Sequence, residues 1–142
     1  MTSEDEIERI ALGLLDLSLP KLEWTHRAHF AAALWLLTHQ EVLARAGGMA
    51  SVIRRYNEAT GVANTDTTGY HETITIASLR GAASYLHKGP DGPLGERLDR
   101  LMGGTLGDKR WPLAHWSKAR LMSAEARRRW VGPDLAPLPW PE

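Results

Sequence analysis

Three histidines and two glutamates occur at spacings that could place them around one metal ion. In the segment Glu-Trp-Thr-His-Arg-Ala-His (residues 23–29), Glu23, His26 and His29 follow one another at steps of three. Residues three apart share one face of a helix. Helical bundles use the Glu-x-x-His spacing to bring a carboxylate and an imidazole to a metal. The pattern therefore predicts that His26 and His29 are metal ligands.

A second segment, Gly-Tyr-His-Glu-Thr at residues 69–73, begins another predicted helix. His71 would complete a three-histidine set and leave one coordination position open for water or substrate. The side chain of Glu72 points about 100° away from that of His71, which favours a role as ligand partner or general base. Glu72 and Glu23 are the predicted catalytic carboxylates. Zinc, iron, manganese or nickel would suit this set, so the sequence predicts a divalent ion without identifying it.

Polar residues between the two segments are candidate substrate contacts. Tyr56, Asn57 and Asn64 offer hydroxyl and amide groups, and Trp24 and Trp111 could line a pocket. The alternative is structural, because residues 61–68 are rich in turn and helix-cap formers. The histidines have the same alternative, since polar groups in a core are normally hydrogen bonded. A surface or packing role is expected for the other three histidines, His39, His87 and His115.

Composition limits the classes of function. The chain has 142 residues, no cysteine, and 17 basic against 17 acidic side chains. The lack of cysteine excludes thiolate metal sites, disulfides and thiol nucleophiles. Balanced charge argues against a nucleic-acid binder, even with three consecutive arginines at 127–129, because these point around most of a helix. No signal peptide or bilayer-length apolar stretch is visible, so we expect a cytoplasmic protein without membrane contact.

The hydrophobic pattern indicates the helices that must position these residues. Apolar residues recur at three- and four-residue steps, which predicts an all-α fold, a compact bundle of about five to six helices. A capping box formed by Ser3 and Glu6 starts the first helix, and Thr67 or Thr68 is expected to cap the fourth. The first predicted helix begins near residue 4, and the second spans about 23–45 with His26 and His29 facing inward. The third starts at 51, the fourth runs from 69 to 85 or 87, and the fifth covers 94–102. Residues 117–130 are predicted to form one or two further helices.

The end of the chain has a different composition. Residues 1–132 are predicted to form a single helical domain, and residues 133–142 an extended proline-rich tail. Trp140 in this tail indicates packing on the domain or on a partner. Glycine costs about 1 kcal/mol relative to alanine inside a helix, so Gly81 predicts a close helix crossing. The acidic start and basic end could pair within the molecule or across a homodimer; the alternative is two solvated helix faces.

Several segments resemble those of a family of small, uncharacterised bacterial helical proteins. They are residues 23–29, Tyr-Asn at 56–57 and Gly-Tyr-His-Glu-Thr at 69–73, together with Arg-Leu-Met-Ser at 120–123, Ala-Arg at 126–127 and Pro-Asp at 133–134. The resemblance covers most of the chain and implies no particular activity. Three histidines in a helical bundle are also similar, at the level of the fold, to the DinB-like metal-binding bundles.

Two classes of function follow from these observations. The first is a metal-binding helical protein, acting as a small-molecule metalloenzyme in which the ion is a Lewis acid or activates water. The second is a non-enzymatic binding or interaction module, in which the cluster of histidines and glutamates is a structural polar junction.

Overall fold

A computed structural model of the protein describes residues 3–45 and 47–140. These residues form helices and irregular segments but no strand, which confirms the predicted all-α class. No helix among them is long and apolar enough to cross a membrane. The α-helical segments in chain order are α1 (Glu4–Leu15), α2 (His26–His39), α3 (Glu41–Arg45), α4 (Gly48–Ala59), α5 (Glu72–Lys88), α6 (Leu94–Met102), α7 (Lys118–Leu121) and α8 (Ala124–Arg128). Turns of 3-10 helix lie at Lys21–Glu23, Thr105–Gly107 and Trp111–Ala114.

Helix α2 is the centre of the core. Every residue from Phe30 to Leu37 is buried, and the helix packs against α1, α3, α5 and α6. A helix covered on all sides carries apolar residues around its whole circumference rather than along one stripe. The prediction that His29 faces inward is wrong, because His29 lies in the first turn of α2, before the buried run, and is exposed.

The predicted second helix is two helices in the structure. Helix α2 ends at His39, because Gln40 leaves helical geometry with φ −137° and ψ 50°. A separate short helix, α3, then follows. Gly47 has a left-handed backbone conformation, with φ 80°, and lies directly before α4. This break and the split of the last helical region into α7 and α8 account for the larger number of segments.

Side-chain caps set the first residues of several helices. The hydroxyl of Ser3 accepts from the Glu6 amide at 3.1 Å, as predicted, and that of Thr25 accepts from the Ala28 amide at 3.2 Å. Helix α5 is capped by His71, so the prediction of Thr67 or Thr68 as its cap is wrong. These threonines lie instead in a loop closed by its own hydroxyl groups.

The chain after α8 lies along the domain without regular secondary structure. The amide of Leu135 donates to the carbonyl of His115 at 2.8 Å. The rings of Trp140 and Trp111 contact each other with centroids 5.6 Å apart. A Cβ on Gly81 would lie 3.0 Å from the Trp140 ring, so the close approach expected at this glycine comes from the tail and not from a second helix.

Candidate functional site

A cavity of about 290 Å³ lies between α2, α4, α5 and the 3-10 turn at Trp111–Ala114, and we call it the aromatic cavity. Its volume is at the lower end of the range of small-molecule pockets. Trp24 and Trp111 both line it, as the sequence predicted. The remaining wall is mainly apolar, with polar groups from His26, His29, Thr75, Ser78 and Lys109.

His29 presents a hydrogen-bond acceptor at this cavity. Its Nδ1–H donates to the carbonyl of Thr25 at 2.6 Å. A carbonyl only accepts, so Nδ1 carries the proton and Nε2 of the neutral ring has a lone pair. Nε2 has no hydrogen-bond partner in the described part of the chain. Desolvation lowers the pKa of His29, although part of the ring reaches solvent. The hydrogen bond to Thr25 raises this pKa, and the nearby His26 lowers it further. The ring is therefore neutral at pH 7.

The orientation of His29 is fixed by an aromatic neighbour as well. Its ring stacks on Trp24 with centroids 3.9 Å apart and planes 27° apart. The other side of Trp24 meets Tyr56 edge-on at 5.4 Å, and the Tyr56 hydroxyl donates to the Leu19 carbonyl at 2.8 Å. Tyr56 is fully buried, so it supports Trp24 from behind and does not line the aromatic cavity.

His26 also lines the cavity but has a different partner. Its Nε2 lies 2.7 Å from the Leu106 carbonyl oxygen and therefore donates to it. The ring meets Phe30 edge-on at 5.3 Å. The helical spacing thus brings His26 and His29 to one cavity, with each ring held by a backbone carbonyl.

His71 lies at a separate place, which we call the His71 junction, between the start of α5 and the segment that ends at Leu121. Its Nδ1 accepts from the Ile74 amide at 3.1 Å, and its Nε2–H donates to the Leu121 carbonyl at 2.7 Å. Desolvation lowers the pKa of this buried imidazole; the Leu121 hydrogen bond raises it, and Arg127 lowers it. Both ring nitrogens are occupied by the fold, so this arrangement leaves His71 no lone pair for a metal.

Within residues 3–45 and 47–140, no three His, Asp or Glu side chains are arranged so that they could hold a metal ion. His26 and His29 line the aromatic cavity, and His71 does not. The structure therefore gives no support to the three-histidine set. Binding of zinc, iron, manganese or nickel stays a prediction.

The two predicted catalytic carboxylates also lie outside the aromatic cavity. Glu23 pairs with the Arg9 guanidinium at 2.8 Å on the surface. Glu72 accepts from the Tyr70 hydroxyl at 2.5 Å and lines a neighbouring cavity. Burial and this carboxylate raise the pKa of the Tyr70 phenol. Neither glutamate is placed to assist His29.

The predicted contacts Asn57 and Asn64 hold a loop together. The Asn57 amide donates to Asn64 Oδ1 at 3.0 Å, and the Asn64 amide donates to the Arg54 carbonyl at 3.1 Å. Asn64 Oδ1 also accepts from the Tyr70 amide at 3.0 Å. Gly69, before Tyr70, has φ 78°, and a Cβ there would lie 2.4 Å from a backbone oxygen. Of the predicted substrate contacts, Trp24 alone lines the aromatic cavity; Asn64 lines a separate polar one.

Sequence reasoning did not single out the residues that α4 and α5 contribute. Thr75 and Ser78 face the aromatic cavity from α5, and Met49 faces it from α4. A signal was present, because Ile74, Thr75, Ser78 and Leu79 follow helical spacing and mix hydroxyl groups with apolar ones along one stripe.

No family model, curated protein or solved structure matches this chain. The resemblance to a family of small bacterial helical proteins therefore stays a prediction. A cytoplasmic location, a homodimer and the absence of nucleic-acid binding are also predictions that the fold does not test.

Proposed function

We propose that the protein binds a small aromatic molecule that carries a hydrogen-bond donor. The observation that carries this proposal is the fixed tautomer of His29, whose Nε2 lone pair has no partner in the described part of the chain and stands at a cavity lined by two tryptophans. The proposal develops the binding-module interpretation of the sequence, with His71 as part of a structural junction.

Aromatic ligands suit the wall of this cavity. Trp24 is held between His29 and Tyr56, and Trp111 is backed by Trp140, so both indole rings have fixed orientations. Preorganised aromatic rings contribute apolar contact area and stacking at little cost in conformational entropy. We infer that the proline-rich tail supports the aromatic cavity by this contact between Trp140 and Trp111.

Hydrogen bonding at His29 supplies the selectivity. A ligand N–H or O–H that reaches Nε2 replaces a hydrogen bond to water with one inside a largely apolar space. A ligand of the same shape without the donor leaves Nε2 desolvated and unpaired. Rejection of such a ligand is usually stronger than the gain from the matched one.

Metal-assisted chemistry is a second proposal. One observation supports it, namely that His26 and His29 line the same cavity. Two imidazoles would need further ligands from water or from a bound molecule. Metal analysis of protein purified without a histidine tag tests it. Stoichiometric metal that is lost in His26→Ala and kept in His71→Ala supports the pair; metal-free protein whose melting temperature is unmoved by zinc, iron, nickel or manganese contradicts it.

Calorimetric titration with indole and 1-methylindole tests the proposed binding. The two probes share an aromatic body, and methylation removes the N–H donor. We expect indole to bind with a Kd of about 0.1–1 mM, in keeping with its few heavy atoms. We expect 1-methylindole to bind about tenfold more weakly, because one hydrogen bond is lost. Equal affinity for the two probes would contradict the role of His29.

A pair of matched variants on α5 shows whether the probe occupies this cavity. Ser78 lines the aromatic cavity, whereas Ser84 is similarly half-buried on the same helix and lines none of the cavities described. Ser78→Phe should abolish indole binding by filling the space, and Ser84→Phe should leave the affinity within about twofold. If indole binds Ser78→Phe as tightly as it binds the wild type, indole binds elsewhere and the aromatic cavity is not the binding site.

A further inference from the structure

A second cavity, of about 360 Å³, adjoins the aromatic cavity along α5. Met49, Thr75 and Leu79 line both cavities, so the two spaces are separated only by side chains that they share. On the α5 side the second cavity follows one helical stripe, made up of Glu72, Thr75, Ile76, Leu79, Arg80 and Ala83.

Among the described side chains that line this second cavity, which we call the Arg80 cavity, Arg80 is the cation. Its guanidinium lies over the Trp130 ring, 4.6 Å from the centroid. Nη1 is buried without a hydrogen-bond partner, and no carboxylate pairs with Arg80 in the described part of the chain. A buried donor without an acceptor is unfavourable, and native proteins normally provide a partner.

The other charged group in this cavity does not compensate Arg80. Glu72 is eight residues earlier on α5, which corresponds to about 12 Å along the helix axis. Its carboxylate accepts instead from the Tyr70 hydroxyl. The two charged groups therefore do not form an ion pair in the described part of the chain.

We propose that the natural ligand carries a carboxylate or similar anionic group that binds Arg80, while its aromatic part occupies the aromatic cavity. This inference rests on the proposed function and adds the chemical class of the ligand, an aromatic acid. Guanidinium and carboxylate match in geometry and form charge-assisted hydrogen bonds, which are stronger than neutral ones.

Calorimetric titration with a series of indole-3-alkanoates tests the inference. Acids with chains of two to six carbons are compared with their primary amides, which match them in size but are neutral. We expect at least one acid to bind about three- to tenfold more tightly than its amide, a modest factor because Arg80 is only half-buried. If no acid exceeds its amide by more than twofold while indole itself binds, the Arg80 inference is overturned and the aromatic site stands. If indole does not bind, the proposed function itself fails.

Two arginine variants show whether Arg80 supplies the preference for the acid. Arg80→Gln should remove the difference between the best acid and its amide and leave indole affinity unchanged. Arg55→Gln makes the same change of charge at an exposed α4 position that lines neither cavity, and it should retain the difference. A preference for the acid that survives in Arg80→Gln, or that is lost equally in Arg55→Gln, overturns the assignment to Arg80.

Discussion

His29 and His71 stand near the first residues of two helices, yet the fold uses them in opposite ways. His71 is buried, and both of its ring nitrogens are bonded to backbone groups. His29 is exposed and its ring lines a cavity, with Nδ1 bonded to a backbone carbonyl and Nε2 without a partner in the described part of the chain. The difference shows that the count of satisfied ring nitrogens, and not the residue type or its helical position, separates a structural histidine from one that can bind a ligand.

The largest expected difference concerns stability. His71→Ala removes the cap of α5 and leaves the Leu121 carbonyl without its donor, which should cost about 2–4 kcal/mol of unfolding free energy. His29→Ala loses mainly stacking on Trp24 and should cost less than about 1 kcal/mol. Urea unfolding of both variants at pH 7.5 measures the two values. Equal losses would break the comparison between the two histidines.

A second prediction concerns the support of the aromatic cavity by the tail. Trp140→Ala should cost about 1–3 kcal/mol, because a half-buried ring that packs on Trp111 and Gly81 is lost. The same variant should weaken indole binding, since Trp111 loses its backing. No hydrogen bond or ring contact joins His71 to Trp140 among the described residues, so the cost of His71→Ala should be the same with or without Trp140. Indole affinity that is unchanged in Trp140→Ala would remove the tail from the site.

The third prediction uses pH to separate the two regions. Burial lowers the pKa of His71 below its ordinary value of 6.5. The unfolded chain therefore takes up this proton first as the pH falls. The stability that the neutral ring contributes is complete above about pH 6.5 and is lost below it, by at most about 1.4 kcal/mol per pH unit.

Unfolding free energies at pH 7.5 and 5.5 measure this loss. His71→Asn keeps a capping acceptor but cannot titrate, so its stability should change less between the two pH values than that of the wild type. The pKa of His29 is lowered as well, so His29→Phe serves as the control that measures how much of the pH dependence comes from that ring. If the unfolding free energies of the wild type and of His71→Asn change equally between the two pH values, groups other than His71 cause the effect.

The smallest change in stability is expected for His29→Phe. Phenylalanine keeps an aromatic ring beside Trp24 and removes the acceptor, so unfolding free energy should change by less than about 0.5 kcal/mol. Indole affinity should fall about tenfold, to the level of 1-methylindole. A stable variant that still prefers indole would show that another group accepts the ligand N–H.

The sequence predicted the helical class, the Ser3 cap and the lining tryptophans, because each depends on local spacing or residue type. Spacing also brought His26 and His29 to one cavity. It could not show that the Leu121 carbonyl, 50 residues further on, accepts a hydrogen bond from Nε2–H of His71. Hydrogen bonds across such separations decide which polar residues are satisfied. The hydrogen bond between Asn57 and Asn64 depends on how the loop after α4 turns back, which helical spacing does not predict.

Nitrogen NMR of the protein labelled at histidine ring nitrogens tests the central claim most directly. At pH 7 we predict His29 to be neutral with the proton on Nδ1, and Nε2 to change its shift when indole is added and not when 1-methylindole is added. His71 should be neutral with the proton on Nε2, and it should respond to neither probe. A His29 ring protonated on Nε2, or the same response to both probes, would contradict the account.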